Sequence, residues 1–522
     1  MSHSESIVFA VAIVILVVAL SAFARRLPVP TPILQLVAGF GVAMIPGIVV
    51  PDLDPELVFF VFLPPVIWSA AMFTSLRDFR RSIGPITTLA VGLVIATTVA
   101  VAFVARQLFP GLPWAAAIAL GAIVSPPDAV AATTIVSRLT VPRRVITILE
   151  GESLVNDASA LILYRTAVAA AVTGTFSWGE SIVRFFIDSG VGSLIGLIIA
   201  WLIIRAAHAT KDSLAEALLT LAGPYVAWLT AERLHVSPVL ACVAGGVFLQ
   251  QRLSTAVSPT SRIQTRTIWE LATFLLNALI FLLLGAQIGL LLGLVPGSRN
   301  FVLRNGVLIT LVAVGLRLVW VPFITACRRA SAQVRAREPK PRWRSLLLVS
   351  WTSMRGVVSL ATALALPRTT ASGAPFPYRT EIILVAMCVI VLTLFVQGLT
   401  LTPIVRALGF EPEGTHLAEE RLARREATRR GAEALEDVSH EQWVDQRDLD
   451  ALRAEVRDRA SMTEEHRGSF EGRRRLRLTM INAERRMLVR LRNEDAISDD
   501  VLRVLEQELD LEAIRAGAGE ER

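Results

Sequence analysis

Long apolar runs constrain this chain more than any other feature. Up to about residue 408, runs of roughly 18–25 mostly apolar residues recur, the length at which a helix crosses a bilayer. From residue 411 onward there is none. The chain is 53% hydrophobic and only 19% charged, against roughly 25% charge in a soluble domain. The runs predict about 13 spans, near 6–24, 31–50, 55–74, 84–107, 114–135, 145–172, 187–206, 212–231, 236–250, 268–292, 305–327, 345–366 and 380–405. Residues 6–24 follow no short basic segment and read as a retained span, not a cleaved leader. The expected fold class is an all-α polytopic membrane protein over 1–408, followed by a charged helical cytoplasmic domain over 409–522.

Charge divides the chain in the same place. The net charge is +7, yet the tail beyond residue 410 holds about 21 basic and 28 acidic side chains. The basic surplus therefore belongs to loops between spans and does not form a nucleic-acid groove. One alternating set of loops carries about 20 Lys and Arg, including Arg77, Arg80, Arg81, Arg143, Arg144 and a dense stretch from Arg328 to Arg344, against about 7 in the other set. The positive-inside rule then puts the N-terminus outside and the tail in the cytoplasm. The Arg-rich bias hints at a GC-rich bacterial genome, hence a multi-pass protein of the inner (plasma) membrane. Cys242, Cys327 and Cys388 fit neither a disulfide framework nor a zinc site.

Polar residues within spans locate the site, because charge at membrane depth is costly and usually functional. On the sixth span, Ser153 and Asp157 stand four apart on one helix face, and Glu152 and Asn156 share the adjacent face. Desolvation disfavours a buried carboxylate's charged form. Asp157 can therefore take a proton or hold a small cation, but not both together, and that competition is the minimal chemistry of an exchanger. In the fifth span, Pro126 and Pro127 remove two backbone donors, so the helix should break near mid-membrane. The freed carbonyls and the Ser125 hydroxyl are oxygen ligands that suit hard cations, and Asp128 should begin the second half-helix. In the twelfth span, Arg355 stays charged and needs a carboxylate; Glu152 is the expected partner. Arg165 and Arg317 also lie in apolar runs and are expected to be structural, near span ends. Gln287 interrupts the tenth span. The six His lie outside the span interiors, so a histidine proton carrier is not expected.

These motifs resemble a known family. The run Glu150-Gly151-Glu152-Ser153-Leu154-Val155-Asn156-Asp157 is similar to the sixth-helix signature of monovalent cation:proton antiporters of the Na+/H+ exchanger type, NhaP-like branch. Ser125-Pro126-Pro127-Asp128-Ala129-Val130-Ala131 resembles that family's fifth-helix break, and Arg355-Gly356-Val357-Val358-Ser359 its twelfth-helix Arg-Gly stretch. Leu63-Pro64-Pro65 and Gly285 match further positions, in order, over roughly residues 6–408. The resemblance implies two inverted repeats of six helices, crossed broken helices five and twelve, a homodimer, and a core shifting against a dimerisation domain. It implies that Asp157 binds Na+ or H+, that Ser153, Asp128 and Ser125 are oxygen donors, that Asn156 supports the break, and that Glu152 and Arg355 form a supporting ion pair.

Two departures stand out. Ser69 occupies a place where many relatives carry a carboxylate, which bears on affinity and selectivity. The break reads Asp128-Ala129 where many relatives have Asp-Pro. With Asp157 as the single titrating group, the expected activity is electroneutral 1:1 exchange of a monovalent cation, Na+ first, for H+ by alternating access. The alternatives are a K+/H+ or poorly selective antiporter, then a cation channel. No cofactor, enzyme activity or nucleic-acid partner is expected; the partners are Na+ or K+, H+, membrane lipid and a second copy of the chain.

Overall fold

The computed structural model describes residues 15–20, 29–45, 55–136, 139–174, 178–210, 212–256, 259–294, 299–338, 340–410, 414–441, 444–461, 467–494, 505, 508–509 and 511–513. Of the first expected span, residues 6–14 and 21–24 lie outside these; residues 15–20 are helical. The helices that follow are α1 Thr31–Ala43, α2 Pro55–Phe73, α3 Leu76–Arg81, α4 Ile83–Leu108, α5 Trp114–Val124, α6 Ala129–Val136, α7 Arg143–Thr173 and α8 Trp178–Thr210. Next come α9 Ser213–Arg233, α10 Pro238–Ala256, α11 Pro259–Leu294, α12 Arg299–Ala330, α13 Ala332–Arg337, α14 Trp343–Trp351, α15 Val357–Leu364 and α16 Arg379–Leu408. Among the described residues the β pairing is one isolated bridge, Thr369 to Pro375.

The fold is all-helical, and its order carries a repeat. A long helix, a broken pair and a second long helix occur as α4, α5–α6, α7 and again as α12, α14–α15, α16. Helix α4 and stretches of α8, α9, α11, α12 and α16 are each long and apolar enough to cross a membrane. The broken pairs are not, because each half runs for only two or three turns.

Local chemistry sets the helix ends. Ser75 caps α3 by accepting from the Asp78 N–H at 3.4 Å, with Asp78 in the first turn and Arg80 and Arg81 in the last, as the helix dipole favours. Helix α7 stops at Gly174, whose φ of 73° is left-handed and whose N–H donates to the Ala170 carbonyl at 3.0 Å.

Two prolines inside α2 do not break it. Pro65 has no N–H for the Val61 carbonyl one turn back. The Tyr225 hydroxyl of α9 donates to that carbonyl at 3.1 Å. Helices α1 and α11 touch through glycines. A Cβ on Gly39 would strike the Leu282 carbonyl, and one on Gly285 the Leu36 carbonyl. Small residues that let backbones meet are the packing device of membrane helices, where apolar burial against lipid gives little net force.

Between Pro412 and Glu413 the chain divides into two compact units. The second contains α17 Gly414–Asp437, α18 Gln446–Ser461 and α19 Arg467–Asn493. Helices α17 and α18 form a pair, fastened where Arg453 donates to both Glu436 oxygens at 2.8 and 2.6 Å.

Candidate functional site

The two helix breaks meet, and each supplies the backbone partners the other lacks. Pro126 leaves the Ala122 carbonyl without its donor from the next turn; the Ser125 hydroxyl donates to it at 3.2 Å. The Val124 carbonyl would accept from the Asp128 N–H in an intact helix. It accepts instead from Arg355 Nε at 2.9 Å, while the Asp128 N–H donates to the Met354 carbonyl at 2.6 Å. The Pro127 carbonyl accepts from Asn156 Nδ2 at 2.9 Å. On the other strand of the crossing, the Arg355 N–H donates to Thr393 Oγ1 at 3.2 Å. Unwound backbone at this depth persists because every exchange is with protein.

Asp128 sits where two half-helices begin. It precedes α6, and its carboxylate lies against Gly356, the residue before α15; a Cβ there would strike it. Each helix start carries about half a positive charge. Two such ends match one carboxylate, so Asp128 is compensated where it stands.

The expected Glu152–Arg355 pair is not formed. Glu152 pairs with Arg317 of α12: Nη2 donates to one carboxylate oxygen at 2.7 Å and Nη1 to the other, and Arg317 Nε donates to the Val349 carbonyl at 3.1 Å. Both residues are 1% exposed. Arg317 therefore does not lie at a span end; it is the buried counter-ion. Arg355 donates Nη1 to the Ser353 carbonyl and hydroxyl and uses Nε on Val124. Its guanidinium binds the break, and it lies within electrostatic reach of both Glu152 and Arg317. A buried arginine can be satisfied by carbonyls as well as by a carboxylate, a choice that residue type alone does not reveal.

In front of this scaffold lies a cavity of about 260 Å³. Helix α7 gives it Glu150, Ser153 and Asp157; the break gives Pro126 and Asp128; α2 gives Ser69 and Thr74. Thr133, Thr273, Asn277, Gly356 and Ser359 complete the polar lining, and Leu63, Val66, Ile67 and Phe73 its apolar wall. Asp157 and Asp128 are within electrostatic reach of each other. Asn277 and Ser359 line the cavity, and their buried Oδ1 and Oγ atoms make no hydrogen bond. The arrangement offers carboxylate, hydroxyl and amide oxygens without thiolate or imidazole, a donor set for a hard cation.

The structure thus brings Asp157, Ser153, Asp128 and Ser69 to one cavity. Ser125 and Asn156 stand behind its wall with their side chains on backbone carbonyls, and Gln287 is buried without lining it. The sequence reading gave no role to Glu150. Its spacing of seven residues from Asp157 is two helical turns on one face, a signal that was available. Asn277 and Ser359 carry no such signal.

Comparison with known proteins extends this picture. The chain is 34% identical to an uncharacterized Na+/H+ exchanger of Mycobacterium tuberculosis, over 98% of this chain and 96% of that one. It is 35% identical to a sodium, potassium, lithium and rubidium/H+ antiporter of Bacillus pumilus, over 72% of this chain and 57% of that one. Among solved structures, the sodium proton antiporter MjNhaP1 of Methanocaldococcus jannaschii shares the fold with a TM-score of 0.61 at 18% identity, covering 78% of this chain and all of that one. Residues 12–407 match the family model described as sodium/hydrogen exchanger, transmembrane, and the chain belongs to that family.

Proposed function

We propose that this chain is a secondary antiporter that exchanges a monovalent cation for H+, with Asp157 as the shared binding group. The observation that carries the reading is the cavity: Asp157 faces it beside Ser153 and Asp128, the other charges at the crossing are matched, and Glu150 lines the cavity two helical turns away. Glu152 is neutralised by Arg317, and Asp128 by two helix ends. One exchangeable negative charge then remains at the crossing. Occupied by either Na+ or H+, it carries the same net charge across, so exchange is electroneutral at 1:1. Ser153, Asp128, Asn277 and Ser359 supply the remaining oxygens to the cation. Ser125 and Asn156 hold the break, and Ser69 stands on the α2 side of the cavity.

The protein works as a multi-pass homodimer in the bacterial inner membrane, N-terminus outside and tail in the cytoplasm. The loop-charge bias supports the orientation, and the family supports the dimer. Ser69 in place of a carboxylate, and the similarity to the four-cation B. pumilus antiporter, favour a second reading in which Na+ is poorly distinguished from K+.

The deciding experiment reconstitutes the chain in sealed liposomes with a trapped pH dye and an imposed pH gradient. Added Na+ should dissipate the gradient equally well with the voltage clamped at zero. Asp157→Asn should abolish the response without lowering the unfolding temperature, since it removes a buried charge. Residual exchange in that variant would refute the assignment, and K+ or Li+ responses equal to that of Na+ would establish the second reading.

A further inference from the structure

A second concavity, of about 720 Å³, lies away from the crossing, where α3, the start of α4, the first turn of α7 and the segment Gln333–Glu338 come together. Four arginines line it: Arg80, Arg81, Arg143 and Arg144. Its two acids are already engaged. Asp78 is reached by Arg143 at 3.6 Å, and Glu338 is held by Arg144 at 3.3 Å and by Arg328 at 2.6 Å. Arg80 and Arg81 are exposed and have no carboxylate partner among the described residues. The first turn of α7, a 31-residue helix without a side-chain cap, adds unpaired backbone donors and the positive end of its dipole.

We propose that this pocket binds a phosphate-bearing anion. Guanidinium forks match phosphate oxygens two at a time. Two spare forks beside a helix start need an anion of nearly two charges with several oxygens, which a phosphomonoester is and a single carboxylate is not. Glu338, chelated by two guanidinia, shows that the pocket already accepts an oxyanion of the chain's own. The ligand's foothold is the helix that carries Asp157, fourteen residues or about 21 Å along its axis from Arg143. The bound anion would fasten the foot of α7 to α3 and to the Gln333–Glu338 segment. The source is either a lipid headgroup or free phosphate. The headgroup requires the orientation given under Proposed function, whereas binding itself does not depend on transport.

The test uses the full-length chain in neutral detergent and follows thermal unfolding through its ten tryptophans. Inorganic phosphate is added as its Tris salt against Tris chloride at equal ionic strength, so that no transported cation enters. A separate arm adds short-chain phosphatidic acid against phosphatidylcholine. The expected result is a Tm that rises with the logarithm of ligand concentration, and an apparent affinity at least about tenfold weaker in Arg80→Ala/Arg81→Ala. Both arginines are exposed and outside the transport cavity, so the variant should fold and exchange as the parent does. Protection by millimolar phosphate identifies free phosphate as sufficient; protection by phosphatidic acid alone identifies the headgroup. No shift with either, or equal shifts in parent and variant, overturns the proposal and leaves the antiport reading untouched.

Discussion

Glu152 and Arg317 place two full charges at 1% exposure, so each depends on the other more than on anything else in the molecule. Removing one partner of such a pair costs about 3–5 kcal/mol, because the survivor stays buried and unmatched. Arg317→Ala should therefore unfold in detergent well below the parent, and Glu152→Gln/Arg317→Gln should recover most of the loss in a double-mutant cycle. Arg355→Ala removes donors to neutral carbonyls instead, at about 1–3 kcal/mol per orphaned group, and pairing it with Glu152→Gln should give no such recovery. That Glu152 belongs with a buried arginine was legible, argued from Arg355. The arginine's identity was not, because Arg317 lies 165 residues away and hydropathy does not say which side of α12 faces α7. Glu150 makes a second residue-scale test. It sits about 10 Å from Asp157 along the helix. Between effective dielectrics of about 80 and 20, a unit charge at that distance contributes roughly 0.4–1.7 kcal/mol. Glu150→Gln should raise the apparent KM for the cation by about two- to sixteenfold and leave kcat near the parent value in the liposome assay.

At the scale of elements, the site is an exchange of backbone partners between two broken helices. Pro126 and Pro127 announced one break in the sequence; the other, at Arg355-Gly356, was implied only by the family resemblance. The sequence did not carry the reciprocal bonds, Asp128 N–H to Met354 and Arg355 Nε to Val124, since each joins residues more than two hundred positions apart. Gly356 is the tightest point of the crossing. A methyl group there must displace the Asp128 carboxylate, because the atoms it meets belong to that side chain. Overpacking of this kind costs about 1–3 kcal/mol. Gly356→Ala should lower the unfolding temperature accordingly and reduce exchange at least tenfold, by pulling Asp128 off the start of α15. Asp128→Ala/Gly356→Ala removes the two nearest clashing atoms, Oδ2 and Cγ, and should regain part of the stability without regaining exchange. Recovery of both would show that Asp128 only fills space.

At the scale of the whole molecule, apolar run length placed a described helix or broken pair at every expected span, and the change of composition near residue 410 fell close to the division at Pro412–Glu413. Lengths were less legible. Helix α11 runs 36 residues where the sequence predicts 25 apolar ones, since its polar first turns continue the helix without being apolar. One ion pair of the tail does not titrate where the transport step is measured. Arg453 holds the Glu436 carboxyl below its ordinary value of 4.5. A lowered carboxylate contributes stability that is present above the unfolded value and lost as pH falls through the folded one, so this pair is intact throughout about pH 6–9. Under the proposed function, competition between H+ and the cation belongs to Asp157, in the other unit. Raising the pH should therefore lower the apparent KM for Na+, by up to tenfold per unit where the protonated form predominates. The same slope should appear after deletion of residues 414–522, with any change confined to the maximal rate. A slope that flattens on deletion would move the competition out of the cavity and into the tail, where His416, His440 and His466 are the groups to replace first.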